Sequence, residues 1–171
     1  MSWASEHARQ LLSPQADRWA HTRAVAERSK LVAADLPRDE QDVLVAAAYL
    51  HDIGYAPELH KTGFHALDGA LHFQELGYQR IANLVANHSA GKVEADERGL
   101  VVELEQFPDD DLELSMALTY CDMTSAGDGR TVTIDERLAD VEDRYGTSGP
   151  VPEAAREAAR IARKFESRQQ D

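Results

Sequence analysis

An uninterrupted apolar run at positions 43–50 ends in the polar doublet His51-Asp52, with Gly54 two residues further on. Such a run could form a buried strand or a buried helix. A proline followed by first-turn acids at positions 37–40, together with three consecutive alanines inside the run, favours a central helix that ends near Gly54. Ionisable side chains at the buried end of an apolar helix need a partner, and a metal ion can be that partner.

The rest of the chain also favours helices. Alanine is abundant, runs of β-branched residues are scarce, and aromatic residues make up only 6% of the sequence. The predicted helices cover residues 3–12, 14–34, 37–50, 64–76, 79–88, 94–106, 110–124, 134–145 and 152–167, with Ser13-Pro14 opening the second and Gly91 acting as a break. We therefore predict one all-α domain over residues 1–171.

Charge and composition exclude several classes of function. The net charge of −13 argues against binding a long nucleic acid, although it leaves room for a small phosphorylated substrate. Neither a signal peptide nor an apolar stretch of roughly 20 residues is found, so we expect no membrane partner. The single cysteine, Cys121, fits a reducing cytoplasm. The acidic segment at 94–113 lacks the glycine turn of a calcium loop and is expected to be a solvated surface.

Four positions form a sufficient ligand set for a divalent metal: His21, His51, Asp52 and Asp122. His21 lies within the second predicted helix, one turn after Arg18 on the same face, and Asp122 follows the apolar run at 114–121. Each residue alone has an ordinary explanation, as a helix-surface histidine or a helix-end acid. Their joint occurrence favours a metal site, and this donor set suits Mn, Fe, Co, Ni or Zn better than calcium.

The order of these residues resembles the HD-domain superfamily of metal-dependent phosphohydrolases over roughly residues 18–126. The resemblance is carried by Arg18-Trp19-Ala20-His21, His51-Asp52-Ile53-Gly54 and Thr119-Tyr120-Cys121-Asp122. It implies an HD-type helical bundle with a metal site between helices. The implied activity is hydrolysis of a phosphate ester or anhydride in a small phosphorylated metabolite, which we expect to be a nucleotide. A helical extension at 134–168 would follow the region that carries the resemblance.

Two further histidines extend the resemblance. His65, in the segment at 65–70, is similar to the family's histidine-proline-x-x-glycine-alanine segment with alanine in place of proline, and His88 is similar to its following helix-terminal histidine. The resemblance implies that His21, His51, Asp52 and Asp122 hold a first ion, and that His65, His88 and a bridging Asp52 hold a second. The alternative is a single ion, with His65 and His88 outside its ligand set. Subfamilies with both histidines include symmetrical diadenosine tetraphosphate hydrolases, the closest in pattern, and cyclic-dinucleotide phosphodiesterases.

The chain departs from the family pattern at two places. Tyr55 stands where many relatives have a lysine, and Lys61 in the next loop is the candidate to supply the missing charge. His88 stands alone where cyclic-dinucleotide enzymes have a histidine pair, which argues against that specificity.

The resemblance also implies roles for individual residues. Asp52 would be the central catalytic ligand, Arg18 would neutralise a non-bridging phosphate oxygen, and Lys61 would stabilise the leaving group. Asp68 and Asn87 are candidates to orient the histidines by hydrogen bonding.

Two other classes of function stay open from the sequence. The first is a non-catalytic module that binds metal or nucleotide, and the second is a di-iron oxygenase on a similar scaffold. The alanine-rich C-terminal helix would pack on its own domain or across a homodimer, and its apolar side is too small for a membrane-surface helix.

Overall fold

The apolar run and the alanine-rich segments form helices in the computed structural model, which describes residues 2–169. The α-helices are α1 (Trp3–Leu12), α2 (Ala16–Val32), α3 (Arg38–Leu50), α4 (His65–Glu75), α5 (Gln79–Asn87), α6 (Gly91–Arg98), α7 (Val101–Leu104), α8 (Leu112–Met123), α9 (Ile134–Tyr145) and α10 (Pro150–Arg168). Short 3-10 turns occupy Ile53–Tyr55, Pro57–Leu59 and His88–Ala90. Within the described residues there is no strand, only an isolated bridge between Ser125 and Thr131. The all-α prediction is confirmed.

Helix boundaries follow local capping chemistry. The predicted bounds of α1 and α9 agree with the structure, and α9 begins with a capping box in which Thr133 and Glu136 satisfy each other's backbone N–H groups. The predicted start of the second helix at Ser13-Pro14 was wrong by two residues, since α2 begins at Ala16. The N–H of Ser13 instead donates to the carbonyl of Arg9 and ends α1.

Glycines explain two further differences from the predicted helices. The helix predicted over 94–106 is divided into α6 and α7, because Gly99 adopts a left-handed conformation with φ of 70° and ends α6. Gly91 does not break the chain but starts α6. The break lies just before it, at Ser89 and Ala90, which have φ of 51° and 60°. A Cβ at Gly91 would lie 2.3 Å from the carbonyl oxygen of Ala86, so only glycine fits there.

The core has two parts, and α3 contributes to both. The first part lies among α2, α3, α8 and α10 and includes Val25, Leu44 and Leu118. The second lies among α1, α3, α4 and α5 and includes Leu50 and Phe73. The apolar run therefore forms a central helix, as predicted, and its C-terminal end at His51 lies between the two halves of the core.

The C-terminal helix packs on its own domain, which is one of the two positions expected from the sequence. Helix α10 contacts α6, α8 and α9 and buries an alanine face that includes Ala158, Ala159 and Ala162. Its charged side includes Arg160 and Arg163, which pair with Glu157 and Asp135. No helix among the described residues has both the length and the hydropathy to cross a lipid bilayer.

Candidate metal centre

Five different helices bring the six ligand candidates to one place. His21 lies within α2, the doublet ends α3, His65 begins α4, the second isolated histidine follows α5, and the last acid lies near the end of α8. The converging residues are His21, His51, Asp52, His65, His88 and Asp122. Five of the six are buried, and His65 keeps 15% of its side chain exposed. The structure therefore brings together every residue that the sequence proposed as a metal ligand.

Asp52 lies at the centre of this cluster. One carboxylate oxygen, Oδ2, is 3.4 Å from Nε2 of His51 and 3.7 Å from Nε2 of His21. The other oxygen, Oδ1, is 3.6 Å from Nε2 of His65 and 3.9 Å from Nε2 of His88. Each oxygen therefore has its own pair of imidazoles, which is the arrangement a carboxylate needs to bridge two cations.

Asp122 closes the cluster on the side of α8. Its Oδ1 lies 3.0 Å from Nε2 of His21, and Ser89 donates a hydrogen bond from its hydroxyl to Oδ2. Three overlapping groups each have ligand atoms within 4.8 Å of one another. They are His21, His51 and Asp52; His51, His88 and Asp122; and Asp52, His65 and His88. Two ions held by these groups would share Asp52.

Backbone carbonyls set the tautomers of three histidines. Nδ1 of His21 lies 3.2 Å from the carbonyl oxygen of residue 126, Nδ1 of His51 lies 2.8 Å from that of residue 48, and Nδ1 of His88 lies 2.6 Å from that of residue 85. A carbonyl oxygen only accepts hydrogen bonds, so each Nδ1 must carry the hydrogen. Each Nε2 therefore presents its lone pair to the cluster, as a metal ligand must.

The buried polar atoms of the cluster fit a cation. Nε2 of His21 and Nε2 of His51 are fully buried and have no hydrogen-bond partner among the described residues. Burial opposes the charge on Asp52, but Arg18 and His51 hold the pKa of that carboxyl well below its usual range. Burial likewise opposes the charge on Asp122, and His21 and Arg137 are the main groups that keep its pKa low. Ionised carboxylates and unpartnered imidazole nitrogens are the donor set of a divalent transition metal.

The remaining histidines differ in their affinity for protons. Burial lowers the pKa of His65 to about 3 and also lowers the pKa of His88. Burial disfavours the charged form of His51 as well, but the adjacent Asp52 raises its pKa overall. Neutral His65 and His88 are ready to bind a metal ion without first losing a proton.

Tyr55 lies between two residues of the site. The guanidinium carbon of Arg18 is 3.8 Å from the centre of the Tyr55 ring, and the His65 ring stacks on that ring with a centroid distance of 4.2 Å and an interplanar angle of 15°. Nη1 of Arg18 then donates a hydrogen bond of 2.6 Å to Oδ2 of Asp52. Tyr55, which stands where many relatives have a lysine, thus stacks against the positively charged Arg18 and carries no positive charge of its own.

Gly54 explains why the doublet and α4 can meet. A Cβ at this position would lie 1.9 Å from the carbonyl oxygen of His65. Glycine therefore allows the turn after α3 to contact the N-terminus of α4 directly, which places His65 beside Asp52.

Lys61 is not brought to the site. Its ammonium group pairs with Glu75 at 2.5 Å on the surface, and 48% of its side chain is exposed. The expectation that Lys61 replaces the missing lysine is therefore corrected. Its loop directs the side chain to the solvent-exposed face of α4, where Glu75 neutralises its charge.

Asp68 and Asn87 do not orient the histidines either. Asp68 accepts hydrogen bonds from the backbone N–H groups of Thr62 and Gly63 and so fixes the loop before α4. The side chain of Asn87 donates to backbone carbonyls, including that of Phe107. Backbone carbonyls carry out the orienting role that the sequence assigned to these two side chains.

The sequence analysis did not assign several residues that line the cavity above the candidate ligands, among them Ser89, Glu94, Arg137 and Arg144. Glu94 was expected in a solvated acidic surface, but it is 6% exposed and pairs with Arg98. Arg137 is also buried, although it falls between Ile134 and Val141, the buried apolar residues of α9. A charged residue within an apolar stripe was the one signal that could have found it.

The cavity itself is small, with a volume of about 90 Å³. Three carboxylates and three arginines line it together with His65, His88 and Tyr55, and residues of α10 close one side. Typical small-molecule pockets enclose about 300–1,000 Å³. The space above the candidate ligands therefore suits a small anion better than a complete organic molecule.

Comparison with known protein families supports the geometry. Residues 18–148 match the family described as HD domain, which extends the region of resemblance beyond residue 126 and through α9. HD domains are generally metal-dependent hydrolases, and the buried histidine and aspartate groups described above could hold a divalent ion. Comparisons with curated proteins and with solved structures give no match. The family match covers well over half of the 171 residues, and the chain belongs to the HD-domain family.

Proposed function

We propose that this protein is a metal-dependent phosphohydrolase that cleaves a phosphoester or phosphoanhydride bond in a small nucleotide-like substrate. The observation that carries the proposal is the position of Asp52, whose two carboxylate oxygens each face a separate pair of imidazole nitrogens. Apart from the hydrogen bond from Arg18, the polar atoms around its two oxygens are imidazole nitrogens, and those of His21, His51 and His88 present lone pairs that a cation would satisfy.

The chain's own residues provide binding and orientation. Divalent ions, when bound, would supply Lewis acidity toward the phosphoryl group and a more acidic water. Arg18 contacts Asp52 and also lines the cavity, so its guanidinium can donate to a non-bridging phosphate oxygen. Asp52 raises the pKa of Arg18 despite burial, which keeps this guanidinium charged at any working pH.

The fixed tautomers reduce the free energy needed to orient the histidine rings for metal binding. Three of the four histidines donate from Nδ1 to backbone carbonyls, so their rings already have the orientation that ligation requires. The hydroxyl of Ser89 holds Oδ2 of Asp122 and leaves Oδ1 directed toward His21. Such preorganisation is the main contribution a protein makes to phosphoryl transfer.

The substrate class follows from charge. With a net charge of −13, the surface disfavours long nucleic acids, whereas the arginines in the cavity suit a small phosphorylated metabolite. The motif pattern resembles that of the symmetrical diadenosine tetraphosphate hydrolases, so we include dinucleoside polyphosphates among the candidate substrates.

The test combines metal analysis with a substrate screen. Purified protein is loaded with Mn, Fe, Co, Ni or Zn and assayed with p-nitrophenyl phosphate, bis(p-nitrophenyl) phosphate and a nucleotide panel. We expect up to two ions per chain and turnover of at least one substrate. Asp52→Ala should abolish both metal loading and turnover, while Asp110→Ala, at an exposed position, should change neither.

Each negative outcome has a distinct meaning. Normal hydrolysis by Asp52→Ala would exclude the proposed centre. Bound metal without turnover on the whole panel would instead favour a non-catalytic metal- or nucleotide-binding module. Spectroscopic signals of a mixed-valent di-iron centre would indicate redox chemistry.

A further inference from the structure

A second group of arginines, on α9, lines the same cavity as Arg18. Arg137 and Arg144 lie two turns apart on α9, on the same face of the helix, and both line the cavity. Nη2 of Arg137 is 3.6 Å from Oδ1 of Asp122, whereas Arg18 contacts Asp52. The cavity therefore has one cation beside each of its two metal-ligand carboxylates and a third further along α9.

Arg137 is buried without being fully satisfied. Only 9% of the residue is exposed, and its Nε has no hydrogen-bond acceptor among the described residues. Its terminal nitrogens lie near Asp122 and Asp140, with Arg144 sharing the same carboxylate of Asp140. A buried guanidinium with an open donor is costly unless an anion completes its hydrogen bonding.

Local charge also favours an anion at this position. Asp52 and Asp122 are metal-ligand candidates, and Glu94 is paired with Arg98. Within α9 itself, Arg137 and Arg144 share the single carboxylate of Asp140, so one acid stands against two guanidinium groups. The chain as a whole has a net charge of −13, whereas the three arginines and three carboxylates that line the cavity balance, so the cavity is less negative than the rest of the protein.

We propose that Arg137 and Arg144 form a subsite for a second phosphate group, joined through a bridging oxygen to the phosphate beside Arg18. The inference rests on the proposed hydrolytic function and narrows it to phosphoanhydrides. Guanidinium groups match phosphate oxygens with paired hydrogen bonds, and two of them can bind one phosphate from different directions. A phosphomonoester would leave this subsite empty.

The size of the cavity agrees with this assignment. About 90 Å³ accommodates phosphate oxygens but not a nucleoside, so the organic part must lie outside. Tyr145, which is 48% exposed, borders the cavity and offers an aromatic surface for it.

The subsite also has a place in the reaction. The oxygen of a water molecule forms a bond to the phosphorus beside Arg18, and the bond from that phosphorus to the bridging oxygen breaks. The bonding electron pair leaves with the second phosphate, and the proton released from water passes to solvent. Arg137 and Arg144 stabilise the charge that accumulates on the departing phosphate.

Calorimetric titration of the metal-loaded protein with inorganic pyrophosphate and with inorganic phosphate tests the proposal without requiring turnover. We expect pyrophosphate to bind more tightly than phosphate. Arg137→Gln and Arg144→Gln should each weaken pyrophosphate binding about tenfold and leave phosphate binding within about twofold. Arg160→Gln is the matched control, since this exposed arginine of α10 pairs with Glu157 alone among residues 2–169 and its loss changes the net charge equally.

Activity gives a second comparison. In Arg144→Gln, the ratio of kcat/KM for phosphoanhydride hydrolysis to kcat/KM for hydrolysis of p-nitrophenyl phosphate, whose leaving group carries no phosphate, should fall about tenfold. Arg144 is the safer variant, because 42% of its side chain is exposed and its loss does not disturb the core.

The proposal is overturned if the wild-type protein shows no preference for pyrophosphate, or if the α9 variants weaken phosphate and pyrophosphate equally. It is also overturned if neither variant differs from Arg160→Gln. Each of these results would refute the phosphate subsite without bearing on metal loading or turnover. Failure of the proposed function would instead appear as missing metal or missing turnover in the metal analysis and the substrate screen.

Discussion

Tyr55 is the residue at which this chain departs most clearly from its family, and its contacts explain why the departure is tolerated. Its ring is stacked between the guanidinium of Arg18 and the imidazole of His65. Stacking against an aromatic ring favours a cation, and partial burial strengthens the effect. Tyr55 therefore fixes the orientation of two groups that approach Asp52 from opposite sides, through its ring and not through its hydroxyl.

Replacing Tyr55 should separate the role of the ring from that of the hydroxyl. Tyr55→Phe retains both stacking contacts, so we expect kcat/KM within about threefold of the wild-type value. Tyr55→Ala removes stacking worth about 1–2 kcal/mol and should lower kcat/KM about tenfold, with most of the loss in kcat. Equal losses in the two variants would assign the role to the hydroxyl.

The lowered pKa of His65 predicts how the free energy of unfolding of the metal-free protein depends on pH. Its pKa is lowered from 6.5 to about 3, so below pH 6.5 the unfolded chain binds a proton that the folded chain does not. This contribution to stability is complete above pH 6.5 and is lost as the pH falls toward 3. The free energy of unfolding in EDTA should be about 1–2 kcal/mol lower at pH 5 than at pH 7 from this residue.

The variant His65→Gln isolates that contribution. It removes the titrating group, so the loss of stability between pH 7 and pH 5 should be smaller than in the wild-type protein. His51 has a raised pKa and acts in the opposite direction, but it is present in both proteins and its effect cancels in the comparison. Identical pH dependence, measured by guanidinium unfolding, would contradict a depressed pKa for His65.

At the scale of elements, the site depends on a close approach between the turn after α3 and the first turn of α4. Gly54→Ala would place a Cβ 1.9 Å from the carbonyl oxygen of His65, and backbone atoms on both sides leave it no space. We expect a loss of more than about 2 kcal/mol in the free energy of unfolding, together with a loss of metal at the second position, because α4 must move.

Gly127→Ala is the matched control for that substitution. A Cβ at Gly127 would have no neighbour within 4 Å, so both stability and metal content should stay near their wild-type values. Thermal unfolding and metal stoichiometry are measured on both variants. A loss in Gly54→Ala alone would show that the close contact between Gly54 and α4 matters, whereas equal losses would show that any glycine-to-alanine change is harmful. Wild-type metal content in a folded Gly54→Ala protein would contradict this account.

The same elements show what the sequence could and could not predict. The convergence of His21, His51 and Asp122 was predictable because each is an ionisable residue next to an apolar helical segment. Arg137 was missed because its relation to Asp122 depends on how α9 packs, which periodicity does not encode. Lys61 was wrongly expected at the site because its loop is close to the His51-Asp52 doublet in sequence. The loop instead directs the Lys61 side chain to Glu75, which the sequence pattern does not reveal.

At the scale of the whole molecule, the candidate metal centre draws residues from both halves of the core. Helices α2, α3, α4 and α8 and the end of α5 each contribute a candidate ligand, so ions that bind there only in the folded state would stabilise all of them together. At a free metal concentration of about one thousand times Kd, that linkage adds about 4 kcal/mol to the free energy of unfolding. Any probe of global opening should therefore respond to metal.

Cys121 provides such a probe. Its thiol is buried in α8, and burial raises its pKa from 9.0 to about 12, so the folded protein presents almost no thiolate at pH 8. We expect Ellman's reagent to label the native protein slowly, through opening of the structure, and to label the unfolded chain at once. Metal should slow native labelling by at least tenfold, and in Asp52→Ala it should have no effect. Fast labelling of the native protein that ignores metal would show that α8 opens independently of the centre it helps to build.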